Sequence, residues 1–158
     1  MENKWKLLGV FLLRRLTRPF KHPEFVFYFF IVILGLGAIG IYTAVLNTEI
    51  PKTKDEHIIA SISSYFLALI ATGTVELIFI QEKNIRKAVM LLAIATIFIN
   101  TILFFVSITT NSYVYSFIGL AISTIIWWIA NAENTNIIDG NFDANIRTEA
   151  RNIHGQNW

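Results

Sequence analysis

Glu76 is the one acid inside four long apolar stretches of the chain. An ionisable side chain at membrane depth is by default a functional residue. It closes an i, i+4 row with Ser64, Ala68 and Thr72. About five residues, or roughly 7 Å, separate it from the end of its stretch, within reach of Lys83, Arg86 and Lys87. Such a carboxylate could lock two helices together, line a pore mouth or carry a proton. Thr96 and Asn100 form a second polar set in the next stretch, with Asn100 ~18 Å above the same boundary. Gly37, Ser64 and Gly119 fall at that level, so the amide would meet hydroxyls or a symmetry-related Asn100 in an oligomer. Interhelical hydrogen bonds of this kind contribute only ~0.6–2 kcal/mol, which makes bundle glue the first reading and a ligand or pore contact the second.

Other motif matches fail on their physics. Gly35-Leu36-Gly37-Ala38-Ile39-Gly40 spells GxGxxG, but it lies within an apolar run with no preceding strand and no wet amides to hold pyrophosphate. Asp139, Asn141 and Asp143 copy the start of a calcium loop, yet Ala144 and Ala150 stand where glycine and a bidentate glutamate belong. His22, His57 and His154 lack ligand spacing, and the absence of cysteine removes thiol chemistry. The expectation is a protein with no catalytic, cofactor-binding or metal site.

The elements that would position Glu76 and Asn100 follow from composition. Hydrophobic residues make up 54% of the 158 and charged ones only 15%, against roughly 25% charged in soluble domains. This excludes a soluble globule, a disordered chain and a disulfide-stapled secreted domain. A hydrocarbon core of ~30 Å needs about 20 apolar residues, and stretches at about 25–46, 58–80, 88–108 and 113–130 qualify. The expected fold is an all-α integral membrane protein, with four transmembrane helices in an antiparallel bundle. Small residues should let the helices approach closely: Gly37, Gly40 and Ala44, then Ser64, then Gly119.

Residues 1–22 read as a basic amphipathic helix lying in the membrane interface. Arg14, Arg15, Arg18 and Lys21 would meet lipid headgroups, and Trp5, Leu12, Leu13, Leu16 and Phe20 would face the hydrocarbon, with Leu7 and Phe11 out of pattern. Arg14 and Arg15 directly after the apolar run, without a small-residue cleavage site, argue against a signal peptide. Pro19 and Pro23 turn the chain into the four-span domain at 23–131. Trp127 and Trp128 read as interfacial anchors. The remainder, 132–158, reads as a polar tail with a short helix at about 142–153, whose face is Phe142, Ile146, Ala150 and Ile153. Its Arg147 and Arg151 could pair with acids or hold a partner or ligand. Of the 13 Lys and Arg, two fall in the first connector and none in the third, so the positive-inside rule puts both termini in the cytoplasm.

In layout the chain resembles small multidrug-resistance exporters, which also combine four short spans with one intramembrane glutamate, though theirs is in the first span. In size and topology it is similar to four-span membrane components of bacterial antiphage defence systems such as Kiwa. The rows of small and polar residues, too few polar groups for a solute path and an amphipathic tail point to the first of two functions, and the intramembrane glutamate to the second. The first is a homo-oligomeric inner-membrane effector, sensor or scaffold, with a pore as one form, controlled from the cytoplasm. The second is a proton-coupled transporter using Glu76, with a non-conducting immunity or accessory partner as a further alternative. Membrane lipids, further copies of the chain and a cytoplasmic protein at the tail and inner connector are the expected partners. No direct nucleic-acid binding is expected.

Overall fold

A computed structural model describes residues 4–46, 54–79, 85–134 and 137. Within them the chain is helical and contains no strand. It forms α1 (Lys4–Thr17), a 3-10 turn (Arg18–Lys21), α2 (Pro23–Tyr28), a π-helical segment (Phe29–Leu36), α3 (Ile39–Leu46), α4 (Lys54–Ile78), α5 (Arg86–Thr109) and α6 (Tyr113–Asn131). Three of these, α4, α5 and α6, are long and apolar enough to cross a membrane. The outward face is as apolar as a lipid-exposed surface must be: Leu91, Ile94, Phe98, Ile102 and Phe105 of α5 are all exposed. The protein is therefore membrane-embedded.

The three long helices pack on one another through one seam, with α4 and α6 forming the broadest contact. On α4 the seam is Ile59, Ile62, Ser63, Phe66, Ile70, Gly73, Thr74 and Leu77, recurring at helical spacing. The α5 seam is Val89, Ala93, Thr96, Asn100 and Ser107, and that of α6 includes Ser116, Gly119 and Ser123. Glycine sits where backbones come closest. A Cβ on Gly119 would stand 2.8 Å from the Phe66 ring, and one on Gly73 would stand 3.0 Å from Cα of Trp127.

Between α5 and α6 the chain reverses within three residues. Asn111 takes φ 48, a left-handed conformation that asparagine tolerates better than most residues. The amide of Ser112 then reaches back to the Ser107 carbonyl at 3.1 Å, satisfying an end carbonyl of α5.

The stretch expected as one span from 25 to 46 is a broken helix. Its π segment closes on a wide-turn bond from the Gly37 amide to the Val32 carbonyl, 2.8 Å, and α3 resumes only at Ile39. The break frees backbone carbonyls, which in an apolar medium must find donors. Tyr42 donates its hydroxyl to Leu34 at 2.8 Å, and Tyr65 of α4 donates to Ile33. Gly37 lets the tyrosine in, since a Cβ there would stand 3.1 Å from the Tyr65 ring.

The opening segment turns by 92° between Trp5–Lys21 and Pro23–Leu36. His22 causes the turn: it precedes Pro23 and is held extended at φ -119, ψ 94, since a residue before proline avoids the helical region. Pro23 then starts α2 at a position that needs no amide donor. Trp127 and Trp128, expected at the lipid interface, are buried, because this elbow folds α2 over them. Phe25 and Phe29 meet Trp128 edge-on at 5.0 and 4.8 Å, and together they make a second core cluster.

Candidate functional site

The polar groups of the seam are satisfied within the chain. Asn100 is fully buried; its amide donates to the Thr96 carbonyl at 2.9 Å and its carbonyl accepts from Ser123 at 3.0 Å. Thr96 turns its hydroxyl back to Leu92 and Ala93. Towards the Lys54 end, the hydroxyls of Ser63, Ser107 and Ser116 close a triangle of 2.7, 3.1 and 2.6 Å. Among the described residues these polar groups of the seam pair with one another inside the bundle. Asn100 meets a hydroxyl of its own chain, so a symmetry-related Asn100 is not what satisfies it.

On α4 the inward row differs from the one expected. Ser64, Thr72 and Glu76 lie on the exposed face, and their neighbours Ser63, Gly73 and Thr74 take the interior positions. The helix has small residues on two adjacent rows, and the row with the better apolar company, Phe66, Ile70 and Leu77, is the one that packs. Glu76 is also nearer the end than expected. Helix α4 stops at Ile78, which puts Glu76 two residues, or about 3 Å, from the terminus. Among the described residues it makes no ion pair: neither Arg86 nor Lys87 reaches it, Lys83 lies outside the described residues, and the ion pairs among those described all go to Glu133. Of the small residues expected to mediate packing, Gly119 stands against Phe66, Gly37 against Tyr65, Gly40 has open space beside it, and Ala44 is half-buried.

The functional geometry that stands out is at the Glu76 end of the bundle, where α4 ends, α5 begins and α6 ends. Here α1 lies across the helix ends. Leu8 and Phe11 join the cluster of Leu77, Ile85, Val89, Ile126 and Ala130. They share a face with Arg15, three and seven residues after Leu8, so docking them carries the arginine inward. Arg15, expected at lipid headgroups, is instead only 7% exposed. One guanidinium nitrogen donates to the Ile129 and Ala130 carbonyls at 3.2 and 3.0 Å, and the other to Oε2 of Glu133 at 2.7 Å. Those carbonyls lie in the last turn of α6 and have no helical donor. Arg15 thus caps one helix from another and pairs with the acid just beyond it. Phe11 lies 4.9 Å beneath the guanidinium, and the Trp128 indole donates to the Leu16 carbonyl at 3.1 Å. Arg18 and Arg14, both about half-exposed, reach Oε1 of Glu133 at 2.6 and 3.4 Å. Lys21 is exposed.

Burial by itself would raise the Glu133 carboxyl, but the charges of Arg15, Arg14 and Arg18, with the Arg18 hydrogen bond, outweigh it and hold the group below its ordinary 4.5. A lowered folded-state value means stability that is complete above the ordinary value and lost as pH falls through the lowered one. Emission from Trp128, which touches α1, should therefore stay constant from about pH 8 to 5 and change only under more acid conditions. A transition near neutral pH would contradict the ion pairing.

No protein-family model, curated protein or solved structure matches this chain. The site stands on its own geometry. Phe142, Ile146, Arg147 and Arg151, expected as partner or ligand contacts, lie outside the described residues. Sequence reading missed Glu133, Gly73 and the aromatic cluster around Trp127. The available signal for Glu133 was its place: an acid just past the C-terminal end of one apolar helix, in a chain whose opening helix carries several arginines.

Proposed function

We propose that the protein is a membrane effector or sensor that works as a homo-oligomer in a bacterial inner membrane and is controlled from the cytoplasm through α1. In this reading the broken segment 23–46 is a fourth span, the bundle is antiparallel, and both termini are cytoplasmic, in keeping with the bias of basic residues. The single observation that carries it is the Arg15–Glu133 latch. It ties the opening helix to the end of α6, where the chain leaves for its tail, so a cytoplasmic partner acting on α1 or on the tail acts on the same joint. The self-satisfied interior supports a signalling or scaffold role over a solute path within one chain. A membrane component of an antiphage defence system is one setting that suits this reading, on the resemblance of layout alone. Proton-coupled transport through Glu76 is the weaker reading, because that carboxylate stands beside the bundle end and not along an interior path.

Mass photometry of the full chain in lipid nanodiscs, joined to a native pull-down, tests the reading. A discrete multimer with a cytoplasmic protein attached is expected, and the partner should be lost on Glu133→Gln. Single-chain particles at every concentration would overturn it.

A further inference from the structure

A groove runs along the outside of the bundle between the broken segment and α4, and nothing derived above uses it. Its volume is about 590 Å³, within the range of roughly 300–1,000 Å³ typical of small-molecule sites. Ile33, Leu69 and Trp127 line its apolar part, and Thr72, Asn131 and Asn134 gather towards the end where Glu76 stands. Ala68 and Thr72 are exposed in the groove although they lie on a membrane-crossing helix, so it opens sideways, to lipid. Asn134 also borders a smaller cavity, about 190 Å³, shared by Arg15, Glu76, Phe79 and Glu133. The two cavities meet at Asn134, the groove mostly apolar along the span and the smaller cavity charged beyond its end.

That order is the order of a phospholipid. The charges at the mouth favour one headgroup. Arg15 is engaged by Ile129, Ala130 and Glu133, whereas Glu76 makes no ion pair among the described residues. A carboxylate at the membrane boundary calls for a cation with donors of its own. We propose that the groove holds a phospholipid of the leaflet at this end of the bundle, with an acyl chain lying against Ile33, Leu69 and Trp127 and a primary-ammonium headgroup donating to Glu76. The site would sort ethanolamine from choline headgroups, since only the former carries N–H donors, and would disfavour headgroups whose net charge is negative. It goes beyond the sensor reading and holds whether or not that reading does.

Native mass spectrometry of the full chain tests it, after release from micelles doped equally with phosphatidylethanolamine, phosphatidylcholine and phosphatidylglycerol of matched chains. Wild type should keep one phosphatidylethanolamine per chain, in about tenfold preference over phosphatidylcholine, the worth of one charge-assisted contact. Glu76→Gln should keep lipid and lose the preference. Ala68→Phe, which fills the groove from an exposed position, should lose the lipid of every headgroup, and Thr72→Phe repeats the test should the first variant lack wild-type helicity by circular dichroism. Three results would overturn the proposal. Preference for phosphatidylglycerol would assign the headgroup to the arginines. Ethanolamine preference unchanged in Glu76→Gln would remove the carboxylate from the site. A change of particle mass in Ala68→Phe with lipid retained would make the groove a contact between copies.

Discussion

Arg15→Ala is expected to destabilise the protein by about 2–4 kcal/mol, whereas Arg18→Ala costs less than about 1 kcal/mol. Both residues are arginines of the same basic segment and both touch Glu133. They differ in surroundings. Arg18 is half-exposed, and ion pairs of that kind have a median worth of about 0–1 kcal/mol. Arg15 is buried, and its bonds to the described residues include two to helix-end carbonyls and one to Glu133. Removing one partner of a buried pair costs roughly 3–5 kcal/mol because the other groups lose their compensation. Here Glu133 keeps Arg14 and Arg18, which brings the figure down. Arg15→Lys should recover only part of the loss, since an ammonium cannot serve the carbonyls and the carboxylate as a planar fork does. Thermal denaturation of the three variants in one detergent reads the difference. Equal, small effects at both arginines would mean that α1 is held by lipid headgroups and not by the bundle.

Three alanine substitutions at glycine should divide, two lowering stability and one holding or raising it. Gly119→Ala puts a methyl group 2.8 Å from the ring of Phe66, which is itself fully buried and has no free side to move to. Overpacking of this kind costs about 1–3 kcal/mol, and the strain falls on the α4–α6 contact that organises the bundle. Gly73→Ala should act in the same sense, because its neighbour is the backbone of Trp127. Gly40 has nothing within 4 Å, so Gly40→Ala gains helix propensity, up to about 1 kcal/mol, with no clash to offset it. The midpoint of helicity loss on titration with a harsh detergent should fall for the first two and hold or rise for the third. A rise for Gly119→Ala would refute the close packing of α4 on α6.

The membrane class and the long helices were legible because composition and run length report them directly. The seam positions of α5 and α6 follow from small residues recurring at helical spacing. The seam of α4 did not, since Ser63 and Ser64 compete as adjacent small residues and only their partners on α5 and α6 select one. Arg15 was misread for a related reason. A helical wheel sorts residues by polarity, and an arginine on the same face as Leu8 and Phe11 looks like an irregular apolar face until a helix end with free carbonyls is found to receive it. The break at Gly37 was visible only as a run of glycines; the tyrosines that make it tolerable are one span away, or two turns along. Burial of Trp127 and Trp128 depends on the 92° elbow at His22, whose prolines were legible and whose direction was not.

The most direct measurement of whether α1 belongs to the bundle is the distance between spin labels on α1 and α5, read by pulsed electron paramagnetic resonance in lipid nanodiscs. The chain has no cysteine, so Leu13→Cys and Leu91→Cys, both at exposed positions, supply the only labels. With labelled chain diluted in unlabelled chain, so that an oligomer carries one label pair, a latched α1 gives one narrow distance population that survives Arg18→Ala and broadens in Arg15→Ala. A broad distribution already present without either arginine substitution, and unchanged by Arg15→Ala, would contradict it.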